Sequence, residues 1–409
     1  MKRQYLDNLI DGLRGVWPLY GAAFAMAINL SVVWTAMPFV IRDMGGTEEH
    51  VGYVWAANMG GYVICLLLAA TRCGHLNARR TTRAAAAVML LSTTAMALVV
   101  YRAIACEQVG RVDLIWTVIA AGTLSGAAMS MYWPFLMTWV SADYEGDLLN
   151  RRLGTYNGSW SAAAVMGPLV GGALVDMSTL GPLVVGVAGL AMCVVLLCVA
   201  HDRSAGSAVQ AKAPATPEVY LNQTGLRRFK WMARIALFCS WACLGVSRSQ
   251  FALLFTGLGF TETQFGVVIT IFGICNFLML TGVSRVAFWH FKPAFLLGVQ
   301  VVLAIAVLLM IFGRTLWAFV PGFVIMGSAF GFAYSSHQYY GASGSPKRSM
   351  QMAIHEATLS FGVIAGSGGG GYLAGNVGLY APYWFAIAVL IAGLAAQIAV
   401  WFALKPAVR

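Results

Sequence analysis

Blocks of about 20 apolar residues recur along this chain, each long enough to carry a helix across the hydrocarbon core of a bilayer. Inside lipid, a single segment satisfies its own backbone only as a helix. The pattern therefore confines the chain to an all-α membrane protein. Twelve spans are readable, at about 17–41, 50–71, 84–101, 114–140, 155–175, 179–200, 231–258, 264–284, 293–313, 315–341, 350–373 and 379–403. Composition agrees, since 59% of the 409 residues are apolar and 10% are charged, against roughly 25% charged in a soluble protein. So few charges could not coat a water-facing surface of this size. The start, MKRQYLDNLIDGLRG, carries two Asp and no compact apolar stretch before Trp17, so no cleavable signal peptide is expected.

Short loops rich in Lys and Arg stay on the cytoplasmic side. With the N-terminus inside, 21 of the 26 basic residues fall on cytoplasmic segments, and outer loops keep Arg42, Arg102, Arg111 and Arg314. The reverse orientation inverts that ratio. A multi-pass protein of the plasma (cytoplasmic or inner) membrane, with both termini cytoplasmic, is expected. The net charge of +11 is then a topology signal and gives no reason to propose a nucleic-acid partner. The eight cysteines fall mostly within spans, with no metal-type CxxC pair. No Walker-type phosphate loop is present either, so neither a metal nor a cofactor is expected.

The segment 201–230, HDRSAGSAVQAKAPATPEVYLNQTGLRRFK, is rich in Ala, Ser, Pro and charge and reads as a flexible linker ending in a basic anchor. It divides the chain into residues 1–200, with six spans, and 231–409, with six more. The halves resemble each other. MGGTEEHVGYV at 44–54 lies over GLGFTETQFGVV at 257–268, with Gly45 on Gly259, Thr47 on Thr261, Glu48 on Glu262 and Gly52 on Gly266, a shift of 214. Gly122 and Gly126 match Gly327 and Gly331 with a shift of 205, and Gly167, Gly171 and Gly172 match Gly366, Gly370 and Gly371 with a shift of 199. Together these favour a duplicated six-span unit.

Twelve spans as six plus six, with a basic central loop, resemble the major facilitator superfamily across essentially the whole chain. Span five carries Gly167-Pro168-Leu169-Val170-Gly171-Gly172, the core of that family's GPxxGG antiporter motif, with Ala163 where a further Gly is usual. The family's GxxxDRxGRR loop is eroded. Aligned on Arg79 and Arg80, its first Gly becomes Thr71, its Asp becomes His75 and its later Gly becomes Ala78, leaving the basic pair without its acidic partner. The resemblance implies two pseudo-symmetric six-helix bundles that rock about a site near the bilayer midplane, with helices one, four, seven and ten lining it.

Charges inside a bilayer are expensive, so their positions carry information. After the loops are set aside, one base remains within a span, Arg248, and one acid, Glu356. A guanidinium keeps its proton, so Arg248 needs a carboxylate, carbonyl dipoles, water or an anionic substrate. A carboxyl can become neutral by taking up a proton, which makes Glu356 the better carrier of a coupling proton. It serves equally well as an inner-gate residue paired with Arg151, Arg152, Lys347 or Arg348. His355 neighbours it, and the 199 shift sets Glu356 on Asn157 and His355 on Tyr156, a matched gate or relay. Span four offers Tyr132, Trp133 and Pro134, the last able to break the helix; span ten offers His337, Gln338 and Tyr339; span one offers Asn29 and Trp34. Each is a pocket candidate. The bland alternatives are interfacial aromatics and interhelical hydrogen bonds.

These features fit a secondary active transporter that moves a small polar, anionic or amphipathic solute, coupled to a proton or ion. The GPxxGG element tilts the expectation toward antiport. A small-molecule substrate and membrane lipid are the expected partners, and a monomer is expected to suffice. The alternative is a membrane-embedded enzyme acting on lipid or another small molecule. It has only His355-Glu356 to work with, and Leu359 occupies the second His position of an HExxH zinc motif.

Overall fold

The computed structural model describes residues 16–72, 76–141, 146–200, 223–283, 285–342 and 348–404. These form twelve helices: α1 Trp17–Asp43, α2 Glu48–Arg72, α3 Ala78–Ala105, α4 Val112–Ser141, α5 Gly146–Met177, α6 Gly181–Val199, α7 Gln223–Gly257, α8 Glu262–Val283, α9 Pro293–Phe312, α10 Leu316–Ala342, α11 Arg348–Asn376 and α12 Ala381–Ala403. No strand occurs among the described residues. Eleven of the helices are long and apolar enough to cross a membrane. The exception is α11, whose glycine run and polar residues dilute its hydropathy. It is sheltered instead, packed between α2 and α7.

Local chemistry sets the helix ends. Asn77 caps α3 by accepting from the Arg80 N–H at 3.1 Å. The turns before α2 and α8 repeat one device. Gly45 and Gly259 both take positive φ, +80° and +91°, where a Cβ would clash. Two residues later, Thr47 N–H donates to His50 Nδ1 at 3.2 Å, and Thr261 N–H donates to Gln264 Oε1 at 3.0 Å. The 214-residue repeat is thus a repeated turn and cap.

Helices α1–α6 pack among themselves, as do α7–α12, and a seam runs between them where α2 meets α11 and α5 meets α8. Small residues let these backbones approach. A Cβ on Gly172 would strike Glu262 O and Gly266 Cα, while a Cβ on Gly371 would strike Glu48 O and Gly52 Cα. These are the same contacts under the 199 and 214 shifts, so a pseudo-twofold axis relates the two sides of the seam. Within each half, Gly167 lies on Ser31 of α1 and Gly366 on Ala242 of α7. The GPxxGG glycines therefore serve close helix packing.

Three details differ from the sequence reading. Helix α7 begins at Gln223, inside the 201–230 stretch, because Arg228 stacks on Trp401 at 4.0 Å and its Nε donates to Leu404 O at 3.0 Å. Helix α5 begins at Gly146, nine residues before the expected 155. Pro134 does not break α4, which runs unbroken through it.

Candidate functional site

The contacts across the seam are graded along the bilayer normal. Call the face where α1 begins and α12 ends the termini face, and the other the distal face. At the distal face the halves are latched. Arg42 donates to Glu262 Oε1 at 2.9 Å and to Thr256 Oγ1 at 3.0 Å. Asp176 at the end of α5 accepts from the Thr263 N–H at 3.1 Å and from its hydroxyl. One residue past the pseudo-symmetric position, Asn376 at the end of α11 donates to Glu49 at 2.5 Å. One layer inward, Phe39 of α1 meets Phe265 of α8 edge-on at 5.4 Å.

The latch is half exposed, with Arg42 and Glu262 side chains 40% and 20% accessible. Surface ion pairs are worth about 0–1 kcal/mol. Arg42→Ala is therefore expected to lower the melting temperature only slightly, and a loss beyond about 2 kcal/mol would mean the pair carries more than a surface bridge does.

Deeper in, Arg248 of α7 crosses the seam to α1, where its Nη1 donates to Thr35 Oγ1 at 3.4 Å. The two residues sit 213 apart, close to the repeat shift, so they meet near the pseudo-twofold axis. Arg248 also lies over the Phe272 ring at 5.6 Å. Toward the termini face, helix-to-helix contact across the seam gives way to long side chains. The Tyr62 hydroxyl of α2 donates to Glu356 Oε2 of α11 at 3.0 Å. Tyr334 of α10 is paired with Gln338 and lies near Glu356 and Tyr156 of α5. Behind it, His337 and His355 share a 2.8 Å Nδ1–Nδ1 hydrogen bond, and Tyr334 stands edge-on to His355 at 4.4 Å.

The site residues expected from sequence divide into three groups. Arg248 and Glu356 reach across the seam, and Gln338 is paired with Tyr334 beside it. Asn157 is exposed and accepts from the Trp160 indole N–H at 3.1 Å. Trp133 packs edge-on against Tyr156 and Trp160 within the first half. His337 and His355 are buried within the second half, one layer behind Glu356.

The rest lie in packing. Asn29 faces Gly186 of α6. Trp34 is buried edge-on to Trp55 at 5.3 Å. The Tyr132 hydroxyl donates to Ala22 O at 3.1 Å beside Cys193. Tyr339 stacks on His290 at 4.0 Å in the α8–α9 turn, where burial lowers the His290 pKa from its ordinary value. Arg79 lies over Trp139 at 5.7 Å, and Arg80 is exposed at the start of α3. His75, Lys347 and the side chains of Thr71, Arg151 and Arg348 lie outside the described residues. Arg152 is buried with its Nε on Val140 O at 3.1 Å.

Sequence reasoning missed Tyr62, Tyr334 and Thr35, and it reached Tyr156 only as the repeat partner of His355. A signal existed for Tyr62, because the 214 shift sets it on Asn276, polar upon polar within apolar spans.

A family model for the Major Facilitator Superfamily matches residues 19–350. The chain belongs to the Major Facilitator Superfamily. No curated protein matches the sequence at a significant level. Among solved structures, the fold is similar to nucleoside transporter NupG (13% identity, 95% of this chain and 100% of that one, TM-score 0.73). It is also similar to a bacterial homologue of the iron transporter ferroportin in the inward-facing state (14%, 95% and 98%, TM-score 0.72). A third is a bacterial homologue of the human lysosomal transporter Spinster, inward-facing and unoccupied (12%, 96% and 96%, TM-score 0.67). At such identities the likeness is one of fold. As a Major Facilitator Superfamily member the chain is a multi-pass membrane protein and a transporter rather than an enzyme.

Proposed function

We propose that this protein is a proton-coupled secondary transporter of the plasma membrane, working by alternating access. Residues 1–200 and 231–409 would rock as two bodies about the seam, with the segment 201–230 linking them. The charge distribution of the loops supports cytoplasmic termini. The conformation described above, latched at the distal face, is then the inward-facing one. Arg248, Gln338 and Trp133 are the proposed solute contacts. The GPxxGG glycines sit where α5 meets α1, and by family analogy they favour antiport.

One observation carries the coupling, the Tyr62–Glu356 hydrogen bond across the seam. A hydroxyl bound to an ionised carboxylate makes a charge-assisted bond, roughly twice as strong as a neutral one. Taking up a proton weakens that tie between α2 and α11, and releasing it restores the tie. Proton occupancy is thereby connected to the relative position of the halves.

The test begins with a thermal-shift screen of purified protein against metabolites and drugs. A saturable hit is then followed in proteoliposomes under an imposed pH gradient. Transport should follow the gradient and collapse on adding a protonophore. Transport indifferent to the protonophore would remove the proton from the mechanism.

A further inference from the structure

Arg248 is a half-buried cation within a membrane span, with no carboxylate beside it among the described residues. Its one hydrogen bond, to Thr35, is long at 3.4 Å, and among the described residues it forms no salt bridge. Four acids at the seam are engaged elsewhere: Glu262 with Arg42, Asp176 with Thr263, Glu49 with Asn376 and Glu356 with Tyr62. Glu356 also lies too deep. Arg248 is nine residues from the distal end of α7 and Glu356 is 20 from that of α11, a difference of about 16 Å along the helices at 1.5 Å per residue. A guanidinium stays charged in a protein, and a charge held at this depth in a membrane span is costly and by default functional. This residue is therefore held for something that arrives.

The surroundings say what that is. From Phe272, beneath the guanidinium, an aromatic run continues to Phe330 at 5.4 Å and on to Trp241 at 4.5 Å, with Phe272 and Phe330 buried and Trp241 half-buried. Trp241 lies seven residues before Arg248 on α7, so the run descends about 10 Å toward the termini face. All of it lies below the latched distal layer. Among the described residues along this run the positive charge is single. Arg42 is taken by the latch, and Arg234, fourteen residues along α7, is bonded to Gln351 at 3.1 Å.

We infer that Arg248 is the anchor for a singly charged organic acid with a flat, apolar body. Its carboxylate takes the guanidinium, and its body lies against the half-buried Trp241, with Phe330 and Phe272 packed behind. One cation favours a monoanion over a phosphate dianion. A face of aromatic rings favours a ring or conjugated chain over a sugar, whose hydroxyls would face the rings without acceptors. The inference rests on the reading of the seam as the transport cavity and deepens it by naming the substrate class.

The experiment is an equilibrium titration of the purified full chain with benzoate, 2-naphthoate and indole-3-acetate, each beside its neutral amide, followed by melting temperature and tryptophan fluorescence. At least one carboxylate should bind saturably, with its amide weaker by about tenfold or more. Arg248→Gln should abolish that preference. Arg248→Lys, which loses the guanidinium fork, should raise Kd about tenfold. Equal binding of acid and amide, no saturable carboxylate binding, or undiminished binding by a folded Arg248→Gln protein overturns the inference. The acid–amide comparison on the wild-type chain decides the matter even where a variant does not fold. Failure of proton coupling would leave these titrations unchanged and show only in gradient-driven uptake, so the two readings fail separately.

Discussion

Replacing Glu356 with glutamine is expected to abolish transport driven by a pH gradient while leaving solute exchange between equal concentrations intact. Glutamine matches the carboxylate in shape, and its carbonyl oxygen can still accept from the Tyr62 hydroxyl, so the seam contact survives in neutral form. What disappears is the site that binds and releases a proton. Loss of one charge-assisted hydrogen bond in favour of a neutral one changes stability by about 1–2 kcal/mol, so the protein should still fold and melt cooperatively. Proteoliposomes preloaded with labelled solute give the exchange rate, and the same vesicles under an imposed gradient give the driven rate. Equal loss of both rates together with a collapsed melting transition would assign Glu356 to structure. Undiminished driven transport would place coupling elsewhere. Tyr62→Phe keeps the carboxyl but removes the tie, and it should slow both rates without ending the response to the gradient.

The second large effect is expected at Gly371. A Cβ there would lie 2.8 Å from Gly52 Cα and 3.0 Å from Glu48 O, both backbone atoms that cannot swing aside. Overpacking of this kind costs about 1–3 kcal/mol, and here the whole cost falls on the distal-closed conformation, because an opened seam leaves room. Each 1.4 kcal/mol is tenfold in a population. Gly371→Leu should therefore shift the protein toward a distal-open state by about one to two orders of magnitude and stall turnover. Thr35 is 1% exposed when the distal side is closed. In a cysteine-depleted background, Thr35→Cys should become reactive to a membrane-impermeant maleimide added from the distal side once Gly371→Leu is present. Gly172→Leu should behave alike, since its Cβ meets Gly266 Cα and Glu262 O in the equivalent place. Unchanged labelling in both folded variants would show that the glycine contacts do not set the distal closure.

How much of this was readable beforehand depended on whether the signal was local. The turn repeat was, because Gly45 and Gly259 need positive φ and each is followed by a Thr cap, so a 214-residue echo in sequence became the same geometry twice. Arg248 and Glu356 were readable as lone charges, since solvation cost singles them out without any knowledge of neighbours. Asn29 and Tyr132 were not placeable. Helices α1 and α4 are apolar almost all round, so no stripe marks which face meets a neighbour and which meets the seam. Asn29 turned to α6 and Tyr132 to α1, inside the first half. Tyr339 lies among the aromatics of the α8–α9 turn for the same reason.

The sequence by itself determined the class, twelve helices in two related halves, because bilayer thickness and backbone hydrogen bonding act on each segment alone. It also determined which charges would be costly. Only the tertiary structure decided what those charges meet. The meeting of Tyr62 with Glu356, and of Arg248 with Thr35 above an aromatic run, joins residues 294 and 213 positions apart. Helix rotation and the approach of glycine-bearing faces set such pairs, and both are properties of packing between segments rather than of any one of them.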